Sequence, residues 1–234
     1  MRGEGEGRRV RRELLALFMA AGAAAAVLAL AGCGLEKWPY LEPPGDSPDA
    51  EPWTPFFQVI NVTPRESEFL GFELYYKFYS SDQSAQQTSE SGLTTRAALV
   101  AAHFWRMCSP GKLSEQTLPA IPLIDVDVGD RGDAFLTRLD FQLLETPKAV
   151  YYYGVPVKER DILIRRYATD SYSNTKTFAQ SELTETDIDL ASVNYTSGQY
   201  LYLVVYAFSY GLINFTDQLY SDARYLGYVR YTMP

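Results

Sequence analysis

The residues able to do chemistry in this chain are few, and their spacing narrows them further. The densest group is Asp125, Asp127, Asp130 and Asp133, spread through Asp-Val-Asp-Val-Gly-Asp-Arg-Gly-Asp. Oxygen ligands at alternate positions beside glycines are what a calcium loop needs. The helix–loop–helix calcium pattern fails here. Gly129 stands at its fifth position, Asp130 at the required glycine and Leu136 at the bidentate glutamate. The same residues read better as a short strand, Asp-Val-Asp-Val, entering a Gly-Asp turn, so no metal or cofactor is expected. There is a single histidine, His103, with no acidic side chain three or four positions away. One histidine excludes a Ser-His-Asp grouping and most zinc sites. Paired carboxylates for glycoside chemistry stay open, but nothing in the spacing singles out a pair.

Arg131-Gly132-Asp133 lies within the acidic cluster. This tripeptide resembles the integrin-binding loops of host matrix proteins, which implies a surface binding loop. Tyrosine is the strongest compositional signal, with 18 residues. Tyr200, Tyr202 and Tyr206 alternate with Leu201, Leu203 and Val205, so in a strand they share one face. Exposed, that face is a contact surface of the kind tyrosine favours. Covered by other parts of the chain, it is a second core, and the need to pack the long segment at 80–197 favours this outcome.

The N-terminus shows where the protein resides. Arg2, Arg8, Arg9, Arg11 and Arg12 precede an uninterrupted run of apolar or small residues from Leu14 to Leu30, and Leu30-Ala31-Gly32-Cys33 follows directly. A basic start, an apolar stretch and small residues before a cut make a secretory signal. A stretch of 17 residues is at the short end for a span. Leu30, Ala31, Gly32 and Cys33 resemble the lipobox of bacterial lipoproteins. The resemblance implies cleavage before Cys33 and diacylation of that cysteine, with the protein held on the exported side of the bacterial cytoplasmic membrane. Gly34, in place of the aspartate that retains many enteric lipoproteins at the inner membrane, favours the outer membrane or the cell surface. Two or more acyl chains suffice for stable anchoring.

Removal of residues 1–32 takes away five arginines and three glutamates, leaving 16 basic and 26 acidic side chains and a net charge of -10. Such a body has no basic surface for nucleic acid and is repelled by anionic head groups, so the lipid must be the membrane contact. With Cys33 acylated, Cys108 has no disulfide partner and is expected to be a buried, inert thiol. Three Asn-x-Thr sequons, at Asn61, Asn194 and Asn214, carry no information in a bacterial lipoprotein.

The elements that position these residues follow from periodicity and breakers. Residues 33–55 hold six of the 13 prolines and are expected to form an extended tether, about 60–70 Å at full stretch. Trp38, Tyr40 and Trp53 within it are expected to rest on the membrane interface or on the domain. Residues 56–234 are expected to form one domain. Strands are predicted at 56–62, 69–79, 135–143, 149–153, 161–167, 199–208 and 224–231 by alternation and β-branched or aromatic content. One helix is predicted from Thr94 to Met107, capped by Thr94 or Thr95 and ended by Ser109-Pro110-Gly111.

Gly71-Phe72-Glu73-Leu74-Tyr75-Tyr76 is similar to the third strand of fibronectin type III and related immunoglobulin-like domains. Leu201, Leu203, Val205 and Ala207 are similar to the sixth, and 221–230 to the last. The second-strand tryptophan of that family is absent, Asn61 and Val62 standing in its place. About 118 residues, far more than in the family, separate the two halves. The resemblance implies a mainly β, immunoglobulin/fibronectin-III-like sandwich with a helix-containing insertion at about 80–197. It also implies a binding or spacer module that is not an enzyme. The expectation is therefore a lipid-anchored envelope protein that binds protein or polysaccharide. The rivals are a structural subunit of an envelope assembly and a carboxylate-dependent glycan hydrolase.

Overall fold

The computed structural model describes residues 40–45, 56–60, 68–82, 84–85, 92–108, 122–126, 136–141, 148–153, 158–168, 175–194, 198–214 and 217–232. The fold is mainly β, with curled antiparallel sheets. The strands are β1 (Phe56–Ile60), β2 (Phe69–Tyr79), β3 (Trp105–Arg106), β4 (Ile124–Asp125), β5 (Leu136–Asp140) and β6 (Lys148–Tyr153). They continue with β7 (Lys158–Leu163), β8 (Arg166–Tyr167), β9 (Thr175–Lys176), β10 (Tyr200–Ile213), β11 (Asp217–Tyr220) and β12 (Arg224–Thr232). The helix α1 (Arg96–Ala101) lies between β2 and β3.

The centre of the molecule is β10, flanked on one side by β2 and on the other by β12 and β11. β10 is apolar in both phases, YLYLVVYAFSYGLI, and is buried from Leu201 to Gly211. A strand covered on both faces reads in this way. Short strands β3 and β4 pair with the far edge of β2. A second sheet runs β1-β5-β6-β7, all antiparallel. β1 lies alongside β12, and a bridge from Cys108 to Arg165 joins the β3 edge to the end of β7.

Two cores follow from the alternation along β2 and β10. Phe72, Leu74, Tyr76 and Phe78 with Leu201, Leu203, Val205 and Ala207 face inward toward Leu139, Phe141, Ile162 and Ile164 of the second sheet. Tyr75 with Tyr202, Val204, Tyr206 and Phe208 faces the other way, under Leu99 and Phe104. β2, β10 and β12 lie side by side in that order. The segment 80–197 differs from the expected insertion: it supplies β5, β6 and β7, three of the four strands of the second sheet. Because these strands bury Leu139, Phe141 and Ile162 in the main core, the segment is half of the fold.

The helix is shorter than its sequence predicts. Thr95 caps α1 by accepting a hydrogen bond from the Ala98 amide. Ala102 ends it, and His103 takes a left-handed φ of 61°. The His103 amide donates to the Val100 carbonyl at 3.0 Å and the Phe104 amide to the Leu99 carbonyl at 2.9 Å. This is a Schellman closure, with histidine where glycine is usual and the accompanying contact supplied by Leu99 and Phe104. Trp105 and Arg106 then pair with Tyr76 and Tyr75. Edge pairing with β2 thus takes residues whose intrinsic preference also suits a helix. Lys77 of β2 donates to the Ala102 carbonyl at 2.7 Å, fixing the helix end to the sheet.

The segment expected to be tether is partly domain. Leu41 is 1% exposed and sits in the main core, and Pro44 is buried. Ser209 Oγ donates to the Glu42 carbonyl at 2.6 Å. Gly211 admits the crossing: a Cβ there would stand 2.2 Å from the Glu68 carbonyl oxygen and 3.1 Å from Leu41 Cδ1. Residues 40–45 therefore belong to the folded unit, which clusters as Pro39–Pro234, and the expected domain start at Phe56 is too late.

Candidate functional site

Two clusters of charged side chains lie on opposite faces of the central sheet, and both are built from residues that local sequence patterns pass over. On the main-core face stands Arg166 of β8, with no exposed side-chain area. Its Nε donates to the Thr177 carbonyl at 3.0 Å and Nη1 to Asp189 Oδ1 at 2.8 Å. Its Nη2 donates to the Glu182 carbonyl at 2.7 Å and to Asp187 Oδ2 at 2.5 Å. Tyr76 of β2 donates its hydroxyl to Asp189 Oδ2 at 2.7 Å and accepts the Tyr167 amide at 3.2 Å. Lys176 and the Thr184 hydroxyl donate to Asp187 Oδ1 at 2.6 and 2.7 Å, and the Thr184 amide to Oδ2 at 3.0 Å.

The two aspartates respond differently to one guanidinium. Burial raises Asp189, and the nearby Arg166 charge and the Tyr76 hydroxyl offset only part of that rise. Burial also acts against ionised Asp187, but hydrogen bonds from Lys176, Arg166 and Thr184 outweigh it and hold that carboxyl below its ordinary value. The difference is the number of donors. The network fastens the 175–190 segment to β2 and β8, and its donors and acceptors are spent on one another.

On the opposite face, Glu73 of β2 is fully buried. Arg106 Nη2 lies 2.7 Å from Glu73 Oε1, an ion-pair contact without hydrogen-bond alignment. The Tyr75 hydroxyl donates to Glu73 Oε2 at 3.4 Å and accepts from Arg96 Nε at 2.7 Å. Arg96, at the start of α1, also lies 5.0 Å over the Tyr220 ring. Burial raises the Glu73 carboxyl, with Arg106 and Arg96 opposing. The Tyr75 phenol is pushed up to about 12, first by burial and then by the Glu73 charge. This cluster reaches water through Arg96 and Arg106. It has one carboxyl under two guanidiniums, a charge arrangement suited to holding α1 and β3 on the sheet.

Of the residues singled out from sequence, Asp125, His103, Cys108, Tyr200, Tyr202 and Tyr206 lie among the described residues. Asp125 ends β4, half-buried and paired with Gly71. Cys33 with Leu30, Ala31 and Gly32, and likewise Asp127, Asp130, Arg131, Gly132 and Asp133, lie outside the described residues. Among the described residues no three His, Cys, Asp or Glu side chains are placed to share a metal ion. His103 is exposed at the helix stop. Cys108 is buried, its Sγ 3.4 Å from the Arg165 carbonyl.

The tyrosine series divides. Tyr202 and Tyr206 are 7% and 3% exposed in the second core. Phe104 meets Tyr206 edge-on at 5.4 Å, and Tyr228 meets Tyr202 at 6.0 Å. As a contact face the series is reduced to Tyr200, which is 46% exposed and lies under the Arg230 guanidinium at 4.4 Å. The cover is α1 and the chain around Phe104, as a second core requires. Of the clusters that hold the fold, Arg166 and Glu73 had one possible signal: each is a charge set within an otherwise strand-like run.

None of the protein-family models, curated proteins or solved structures compared with this chain matches it.

Proposed function

We propose that this is a lipid-anchored bacterial envelope protein whose β domain is a non-catalytic binding or adhesion module for protein or polysaccharide. The observation that carries the anchor is Leu30-Ala31-Gly32-Cys33 placed directly after the apolar run. Support for binding over catalysis comes from the buried carboxylates. Glu73, Asp187 and Asp189 are each engaged by a guanidinium, so none is poised as a free acid, base or nucleophile. Tyr200, an exposed aromatic stacked by Arg230 at the open end of β10, offers the kind of surface on which a sugar ring or a protein side chain settles.

Two measurements test the reading. Metabolic labelling with an alkyne fatty acid should mark the wild type and not Cys33→Ala, and the variant should leave the membrane fraction. Equal membrane retention of Cys33→Ala would refute the anchor. Protease shaving of intact cells should then release the domain, and the released domain should be retained on immobilised envelope polysaccharide or crosslink to an envelope protein, with retention reduced in Tyr200→Ala. Turnover of a glycan substrate would overturn the non-catalytic assignment.

A further inference from the structure

We infer that the domain rests directly on the bilayer surface, with the Ile213–Asp217 end of the central sheet toward the lipid, instead of being held off on a long spacer. The inference rests on acylation of Cys33 and adds to it the position at which the chain becomes fixed. Leu41 is buried in the main core and the Glu42 carbonyl is held by Ser209, so the chain is fixed to the domain from Leu41, not from Phe56. Eight residue steps separate Cys33 from Leu41, which reach at most about 29 Å at about 3.6 Å each. The full 33–55 segment would have reached about 60–70 Å.

The direction of the docked segment sets which end faces the membrane. Glu42 lies over Ser209 and Leu41 over Gly211, so from Glu42 back to Leu41 the chain runs along β10 toward Ile213. It emerges at Tyr40, which is 56% exposed. Half-buried Leu212 and Ile213 and the exposed turn at Asn214 lie at this end. Tyr200 and Ser80 lie at the other, because Tyr79 pairs with Tyr202 while Phe69 pairs with Gly211. Tyr200 stands about 36 Å from Gly211 along β10 at about 3.3 Å per residue, beyond the reach of about 29 Å. The end bearing Tyr200 therefore points away from the lipid, where a ligand meets it. The net charge of -10 on the mature chain makes an interfacial contact by aromatic and aliphatic side chains fit better than one by basic residues.

The test uses the acylated full-length protein in phosphatidylcholine vesicles containing a headgroup-labelled acceptor lipid. Single donor dyes are placed at Asp217→Cys and, separately, at Ser80→Cys, both exposed positions, in a background where buried Cys108 does not react. Energy transfer from position 217 should be several-fold stronger than from position 80. Leu41→Asp, which releases the docked segment, should bring the two values together while the protein stays vesicle-bound and folded by circular dichroism. Equal transfer from both positions in the acylated wild type would overturn the orientation. Absence of acyl chains by mass spectrometry, or vesicle binding retained in Cys33→Ala, would instead overturn the anchor on which it rests.

Discussion

Arg166 Nη1 and Asp189 Oδ1 meet at 2.8 Å with neither side chain exposed to water. Around them the guanidinium ties β8 to the 175–190 segment through Asp187, Thr177 and Glu182, and the Tyr76 hydroxyl on Asp189 joins β2 to the network. Removing one partner of such a pair leaves a buried charge uncompensated. Arg166→Met is expected to cost about 3–5 kcal/mol in urea unfolding. Arg166→Lys should recover only part of that loss, because an ammonium cannot reproduce the planar fork. Full stability in Arg166→Met would show that the network is dispensable.

The Glu73 carboxyl is raised by burial, so the folded state binds its proton more tightly than the unfolded state does. Stability from this group is fully present below the unfolded value, near 4.5, and is lost as pH rises toward the folded value. Glu73→Gln removes that loss. Relative to wild type, the variant should therefore be more favourable at pH 7 than at pH 4, measured as the difference in urea midpoints. The reverse order would mean that Arg106 and Arg96 dominate.

Asp187 has the opposite sign. Its donors hold the carboxyl below the ordinary value of 3.8, so its contribution is present above that value and disappears as pH falls through the lower, folded one. Asp187→Asn should cost stability at pH 7 and progressively less below pH about 4. A penalty that does not change with pH would assign the effect to lost hydrogen bonds alone.

His103 closes α1 at φ 61°, a conformation that costs a residue with a Cβ about 1 kcal/mol or more. His103→Gly should raise stability by up to about 1 kcal/mol, whereas Thr95→Ala, which removes the cap, should lower it by about 1 kcal/mol. Thermal unfolding of the two variants checks both signs, and a destabilised His103→Gly would give the imidazole a role beyond the turn.

Gly71 packs where a Cβ would stand 1.9 Å from the Ile124 carbonyl oxygen. Gly71→Ala must push β4 off β2 and is expected to cost about 1–3 kcal/mol. Gly211→Ala should cost a similar amount and, by lifting the chain at Glu68 and Leu41, should make residues 40–45 newly sensitive to protease.

The legibility of these features in sequence depended on how local their causes are. The long alternating strands β2 and β10 and the Thr95 cap are written in neighbouring residues, through period and side-chain oxygen placement. The sequence alone also determined that Tyr202 and Tyr206 share a face, because alternation is a property of the backbone. Whether that face meets water was decided only when Leu99 and Phe104 came to lie over it. In the same way β3 displaced the end of the predicted helix because β2 offered an unpaired edge, and Leu41 left the tether because Ser209 and Gly211 offered it a socket. Arg166, Asp187 and Asp189 look like solvated surface charges in sequence. Their burial rests on Tyr76, 113 residues from Asp189, and a contact of that separation is set by tertiary packing, beyond the reach of any local pattern.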